Sequence, residues 1–309
     1  MTAGADRRSV LTGLGALGVI GCSPQVAPVV VPEEPPARPA VVMQDIDFSA
    51  LEAGNGGRLG FVALDTATGR SVSARGDERF VYCATFKMFL AAATLVRIQD
   101  GHETADRQVP VTAADMVSHA PVTEPAIGSS LSVERLMQAV VEVSDNPAAN
   151  LLLKANGGLE AMREFYRTLG DDSTRVDRFE PEMNRFDGDK DTIQPARSVA
   201  NIQRLFLEPT SPLTAESQTR LLGWMFAAPT GANRLKAGVP AGWRVGHKTG
   251  TGGYGPTNDI GLLYPPAGKP VIVAAYYHAT RTTSDAANDA VIAETTRMAL
   301  TALGHGAAA

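Results

Sequence analysis

The chain has 309 residues, a length that accommodates two structural lobes around a sizeable core. Hydrophobic residues make up 44%, charged residues 20% and aromatics 6%, a balance that excludes a coiled coil, a collagen and a largely disordered chain. The net charge of −5 gives no basic footprint for nucleic acid, no apolar run reaches the roughly 17 to 25 residues of a membrane-spanning helix, and two cysteines, Cys22 and Cys83, cannot build a disulfide framework.

Taken in chain order, residues 1–21 read as an export signal: Arg7-Arg8 is followed by Ser9-Val10-Leu11 and a mild, glycine-rich apolar stretch to Ile20. The paired arginines resemble the twin-arginine signal that carries folded proteins across the bacterial inner membrane. Val19-Ile20-Gly21-Cys22 resembles a lipobox, with cleavage before Cys22 and lipidation of its sulfur; a plain signal with an incidental cysteine is the alternative. The expected location is therefore periplasmic, with membrane contact only through a lipid anchor at Cys22. Residues 22–45 read as a linker, since six prolines between Pro24 and Pro39 favour an extended, semi-rigid spacer.

Residues 46–309 carry the fold. Arg58 to Arg75 alternates as two strands joined by a Thr-Ala-Thr-Gly turn, which predicts a hairpin. The period then changes. Phe86 to Gln99 is a long helix ended by Asp100-Gly101. Ser132 caps a helix running to about Val143, with Glu134 in its first turn. Pro147 suits the first turn of another, which stops at Asn156-Gly157-Gly158. Helices follow at Leu159 to Leu169, Pro195 to Leu207 and Thr214 to Ala227. Strand character returns at Trp243 to Thr249, Ile260 to Tyr264 and Val271 to Tyr277, before an amphipathic helix from Asp285 to Leu303. Strands at both ends around a helical middle predict an α/β chain of α+β type. Its antiparallel sheet is built from both chain ends (about 46–83 and 235–305), and an all-helical lobe (about 84–234) is inserted between them. The cleft between the lobes is the natural place for a site.

Four strings carry the chemistry: Ala84-Thr85-Phe86-Lys87 opening the long helix, Ser144-Asp145-Asn146 between two helices, Glu180-Pro181-Glu182-Met183-Asn184 in a loop, and Lys248-Thr249-Gly250 on a strand. Each is common by chance, but their order and separation (57, 36 and 68 residues from Lys87 to Ser144 to Glu180 to Lys248) are not. Together they resemble the class A serine β-lactamases, whose S-x-x-K, S-D-N and K-T-G set is a recognised signature.

That resemblance covers roughly Phe48 to Leu303 and implies the penicillin-recognising fold with its site between the lobes. It implies hydrolysis of penicillins and cephalosporins by serine acylation and Glu-assisted deacylation, with antibiotic resistance as the outcome. Opening a strained lactam needs a nucleophile, a base, oxyanion donors and a proton for the departing nitrogen. Lys87, one turn along from residue 84, is then the base or its electrostatic partner. Ser144 relays a proton to the nitrogen, and Asn146 donates to the substrate's amide carbonyl. Lys248, Thr249, Gly250 and Thr251 form the wall that receives the substrate carboxylate, and Arg234 is placed to pair with it, the alternative being an exposed helix-end arginine. Glu180, helped by Asn184, activates the deacylating water. His119 stands where the family often has an aromatic gatekeeper, or is a plain loop residue.

The sequence departs from the pattern at the nucleophile position, which is Ala84. A methyl group cannot attack a carbonyl, so the acyl-enzyme route is closed. Thr85 is rotated by about 100° on the helix, off the Lys87 face. The expectation is a chain that binds β-lactams without appreciable hydrolysis. A non-catalytic lipoprotein binding β-lactams or peptidoglycan fragments is the alternative, and a penicillin-binding carboxypeptidase is disfavoured by the Glu180 loop. His247 replaces the family's usual aspartate and reads as a solvated strand residue or one that alters local charge. Arg178 and Asp191 are available to close the neck of the Glu180 loop. Cys83 reads as a small buried hydrophobe. No metal-ligand spacing is present, no cofactor is called for, and a monomer is expected.

Overall fold

The computed structural model describes residues 42–253, 255–279 and 284–306, so Arg7-Arg8, Cys22 and the prolines from Pro24 to Pro39 lie outside the described residues. The elements run β1 (Val42–Asp45), α1 (Ser49–Asn55), β2 (Arg58–Asp65), β3 (Arg70–Ala74), β4 (Phe80–Val81), α2 (Phe86–Gln99), β5 (Gln108–Pro110), β6 (Ser130–Ser132), α3 (Val133–Glu142), α4 (Asn146–Ala155) and α5 (Gly158–Thr168). Then follow β7 (Thr192–Ile193), α6 (Pro195–Phe206), α7 (Ala215–Ala227), α8 (Leu235–Gly238), β8 (Arg244–Thr251), β9 (Pro256–Tyr264), β10 (Val271–His278) and α9 (Asp285–Leu303).

The main sheet has the order β1-β3-β2-β10-β9-β8, so N-terminal and C-terminal strands interleave at the β2–β10 ladder. Both its faces are covered, and the strands show it by period two. Val62 and Leu64 of β2, with Ile272, Ala274 and Tyr276 of β10, face the helical lobe. Phe61, Ala63, Val271, Val273, Ala275 and Tyr277 face the layer of α9, where Val291, Ile292 and Leu300 are buried. A slip of one residue in either strand would exchange these two sets, which fixes the register.

The helical lobe is organised by amphipathic stripes and by caps. Val133, Leu136, Met137 and Val140 of α3 are all buried, the spacing of one helix face. Ser132 accepts from the Arg135 amide and Asp145 from the Ala148 amide, satisfying amide donors at the starts of α3 and α4. The lobe also carries the small β5–β6 ladder, and β7 of the lobe pairs with β4 of the sheet segment; the sequence pattern announces neither.

Two further differences from the sequence reading have physical causes. Val42–Asp45, read as the end of the linker, pairs parallel with β3 as an exposed edge strand. With every side chain exposed, it offers no hydrophobic alternation to detect. β9 begins at Pro256 rather than Ile260 because its polar start points inward: Asn258 donates to the carbonyls of Val81 and Tyr82 at 2.9 and 3.1 Å.

Candidate active site

The floor of the cleft is the tight turn Cys83–Thr85 leading into α2. Cys83 sits in the left-handed region at φ +49, unusual for a side chain with a Cβ, and turns the chain abruptly from β4 into the helix. β8 packs against this turn at Gly250, where a Cβ would come within 2.7 Å of the Tyr82 carbonyl, so a glycine is required. The Ala84 methyl is 8% exposed and lines the cleft. Thr85 is fully buried and its hydroxyl donates to the Tyr82 carbonyl at 2.8 Å. Cys83 is free and buried, and burial, seconded by the Glu180 charge, pushes its thiol well above the usual range.

One turn into α2, Lys87 is completely buried and its ammonium is fully engaged. Nζ donates to the Ser144 carbonyl at 2.7 Å and to Asn146 Oδ1 at 2.5 Å, and pairs with Glu180 Oε1 at 2.9 Å. Three acceptors match the three N–H donors of an ammonium, which is what makes a buried lysine tolerable. Ser144 is also held in the left-handed region, at φ +62. Its Oγ lies 3.1 Å from Lys248 Nζ and 3.5 Å from Lys87 Nζ, between the two cations.

The Ser144-Asp145-Asn146 turn is pinned from behind. The buried Asp145 carboxylate accepts from the amides of Val122 and Thr123 and the Thr123 hydroxyl, besides capping α4. Asn146 Nδ2 donates to the Ser118 carbonyl at 2.7 Å, and its backbone N–H donates to the His119 carbonyl at 3.0 Å. His119 is thereby brought to the cleft mouth, with Nε2 2.8 Å from the Val143 carbonyl.

Glu180 is 2% exposed and is clamped by a residue that the motif search passes over, Asn150 of α4. Asn150 Oδ1 accepts from the Glu180 amide and its Nδ2 donates to the Glu180 carbonyl, both at 2.9 Å. Its signal was its place one helical turn beyond Asn146. The other carboxylate oxygen of Glu180 accepts a short hydrogen bond from Asn184 Nδ2. The loop that presents Glu180 is closed by Arg178 Nε and Asp191 Oδ2 at 2.6 Å, with Asp191 Oδ1 accepting from the amides of Asp177 and Arg178.

The opposite wall is β8 and the turn before α8. Lys248 is fully buried, its Nζ bonded to Ser144 Oγ and to the Thr249 carbonyl at 2.9 Å. Burial drives its pKa well below the usual lysine range, helped by the charges of Lys87 and Arg234 and opposed by Asp259 and Glu180. Arg234 is 7% exposed rather than a helix-end surface residue. Nε pairs with Asp289 of α9 at 2.6 Å, Nη1 donates to the carbonyls of Gly250 and Asn258, and Nη2 donates to Thr251 Oγ1 at 2.8 Å. Thr230 and Thr249 share a hydroxyl contact at 3.1 Å. His247 corrects the reading of a solvated residue. Its side chain is entirely buried and Nδ1 lies 2.9 Å from both oxygens of Asp259; Gly261 opposite it lets the two strands approach closely, since a Cβ there would stand 2.2 Å from the Gly246 carbonyl oxygen.

These elements enclose a cleft of about 360 Å³ lined by Ala84, His119, Ser144, Asn146, Asn184, Thr230, Gly231, Arg234, Thr249 and Thr251. Lys87, Glu180 and Lys248 are buried beside it, and the Gly250 carbonyl holds Arg234 in its wall. Every residue of the four sequence strings assigned a role is thus gathered at one place. Thr230, Asn150, Asp259 and Asp289 are the neighbours that only the fold discloses.

A sequence model of the beta-lactamase enzyme family matches residues 43–303. Beta-lactamase L2 of Stenotrophomonas maltophilia is 44% identical over 236 residues, 75% of this chain and 77% of that protein. The carbapenem-hydrolyzing beta-lactamase KPC of Klebsiella oxytoca is 40% identical over 83% of this chain and 88% of its own length. Among solved structures, an ancestral class A beta-lactamase superposes with a TM-score of 0.79 at 46% identity, covering 82% of this chain and 97% of that one. A beta lactamase from Xanthomonas campestris superposes at 0.78 with 40% identity, covering 83% and 95%.

Proposed function

This chain belongs to the class A β-lactamase family, whose members hydrolyse β-lactams, and from that premise we propose that it binds β-lactam antibiotics in the Ala84 cleft without appreciably hydrolysing them. The observation that carries the reading is local: the Lys87, Ser144, Glu180 and Lys248 network is complete, and the side chain facing it from the start of α2 is a methyl group.

In this reading a lactam lies with its carboxylate against Arg234, Thr249 and Thr251, Lys248 adding charge from behind. Its carbonyl oxygen receives the backbone N–H groups of residues 84 and 251, which do not depend on the side chain at 84. Asn146 uses a second Nδ2 hydrogen on the ligand's amide. With a hydroxyl at 84, Glu180, or Lys87 once it has passed a proton to Glu180, would take its proton as the oxygen attacked, Ser144 would deliver a proton to the departing nitrogen, and Glu180 with Asn184 would then activate the deacylating water. With a methyl there is no first step. Thr85 offers no substitute, since its hydroxyl is spent on the Tyr82 carbonyl on the buried side of the helix. By analogy with a serine protease, loss of the nucleophile costs about 10⁶ in turnover, or about 8 kcal/mol of transition-state stabilisation.

The same reading makes the protein an exported, periplasmic one, supported by Arg7-Arg8 before a weak apolar stretch and by Val19-Ile20-Gly21-Cys22 as a lipid-anchor signal. The test is paired: turnover of a chromogenic cephalosporin by the chain and by its Ala84→Ser variant. The serine form is expected to be about 10⁵- to 10⁶-fold faster. Rapid hydrolysis by the alanine form would overturn the reading. An inert serine form would favour a binding lipoprotein whose machinery is not catalytic.

A further inference from the structure

We propose that His247 is a positioning residue for carboxylate recognition: a neutral imidazole, protonated on Nδ1, that holds the Asp259 carboxylate beneath Lys248 and under the turn carrying Arg234. The proposal rests on the β-lactam-binding reading for its substrate, and not for its geometry.

Asp259 sits on β9 opposite Thr249 with no exposure, and a carboxylate there needs donors. Among the described residues it has two: His247 Nδ1 at 2.9 Å and the Leu235 amide at 3.3 Å. An ionised carboxylate only accepts, so Nδ1 must carry the hydrogen. Nε2 is just as buried and has no hydrogen-bond partner among the described residues. A second proton there would be a buried donor without an acceptor. With the hydrogen on Nδ1 alone the pair carries one negative charge, buried near Lys248. The groups that face it are Lys248 and Lys236, both drawn toward the charged form by Asp259, with Arg234 beyond, itself tied to Asp289.

The ring also sets a shape. Gly231, at φ +66, lies so close that a Cβ there would stand 2.9 Å from His247 Cε1 and 2.5 Å from Thr249 Cγ2. The turn resting on this surface bonds Thr230 to Thr249, Arg234 N to the Gly231 carbonyl, and the Leu235 amide to Asp259. Removing the imidazole leaves a buried carboxylate short of a donor and a turn without its floor, and both consequences meet at Lys248 and Arg234.

The experiment measures the affinity of the chain for benzylpenicillin and for its methyl ester, which lacks the carboxylate. His247→Ala is expected to weaken the acid by about tenfold or more, the scale of a lost charged hydrogen bond, and to leave the ester unchanged. His247→Asn puts an N–H at the position of Nδ1 and is expected to restore the acid's affinity to within about threefold. Nitrogen NMR of the chain, with the ring assigned by its loss in His247→Asn, is expected to find the proton on Nδ1 alone. An equal loss for acid and ester, no loss for the acid, failure of asparagine to restore it, or a proton on Nε2 would each overturn the proposal. If His247→Ala does not fold, the asparagine variant and the ring's proton decide. If the parent chain binds neither probe, the β-lactam reading falls by itself, and the position of the proton still decides for or against the His247 assignment.

Discussion

The two walls of the cleft are built on different terms. On the α2 side, the groups that would handle protons, Lys87 and Glu180, are buried, mutually paired and supplied with Asn146, Asn150 and Asn184 as partners, yet the side chain they surround is the methyl of Ala84. On the β8 side, Lys248, Arg234, Thr230, Thr249 and Thr251 form a set of polar side chains backed by His247–Asp259 and Asp289. In the proposed reading, recognition of an anion and chemistry on a carbonyl are carried by separable side chains, so that Ala84 removes the second while leaving the first.

The separation can be sharpened from either wall. The largest expected effect comes from restoring the hydroxyl and then disarming the water. In an Ala84→Ser background, Glu180→Gln is expected to lower turnover by about 10²- to 10⁴-fold, the range of general-base catalysis. The acylated protein should accumulate in intact-mass spectra. No accumulation would mean that Glu180 serves acylation alone. On the other wall, Arg234→Ala in the chain as it stands is expected to weaken benzylpenicillin about 10- to 100-fold by calorimetry, the worth of a charged hydrogen bond, and to spare the methyl ester. A comparable loss for both would make Arg234 a structural tie between β8 and α9 rather than part of the anion site.

The smallest effect is a pH limb. Because burial lowers Lys248 well below 10.5, its proton leaves at lower pH than that of an exposed lysine. Rising pH then removes a cation from the carboxylate wall. Affinity for benzylpenicillin is expected to fall about fivefold on the alkaline side, the scale of one partly screened ion pair. The ester should be flat, and Lys248→Arg should abolish the limb.

What the sequence revealed divides along similar lines. The four strings were legible because each packs two or more functional side chains into adjacent or one-turn positions, where local geometry holds in any fold. Long elements such as α2 and β10 announced themselves by composition and period. The supports did not, because they converge from distant segments. Asn150 reaches Glu180 across 30 residues, Arg234 meets Asp289 across 55, and His247 was misread because strand alternation says which face a residue takes and not whether that face is covered. The polar start of β9 was not read as strand for the same reason: Asn258 spends its amide on the Val81 and Tyr82 carbonyls, holding the Ala84 turn from beneath.

The central claim, that this cleft holds a β-lactam but cannot open it, is met most directly by titrating the chain as it stands with benzylpenicillin and then recording the protein's intact mass and the recovered ligand. The account predicts saturable binding, an unchanged protein mass and an intact lactam ring. A mass increase equal to one penicillin, or release of the ring-opened acid at an enzymatic rate, would contradict it.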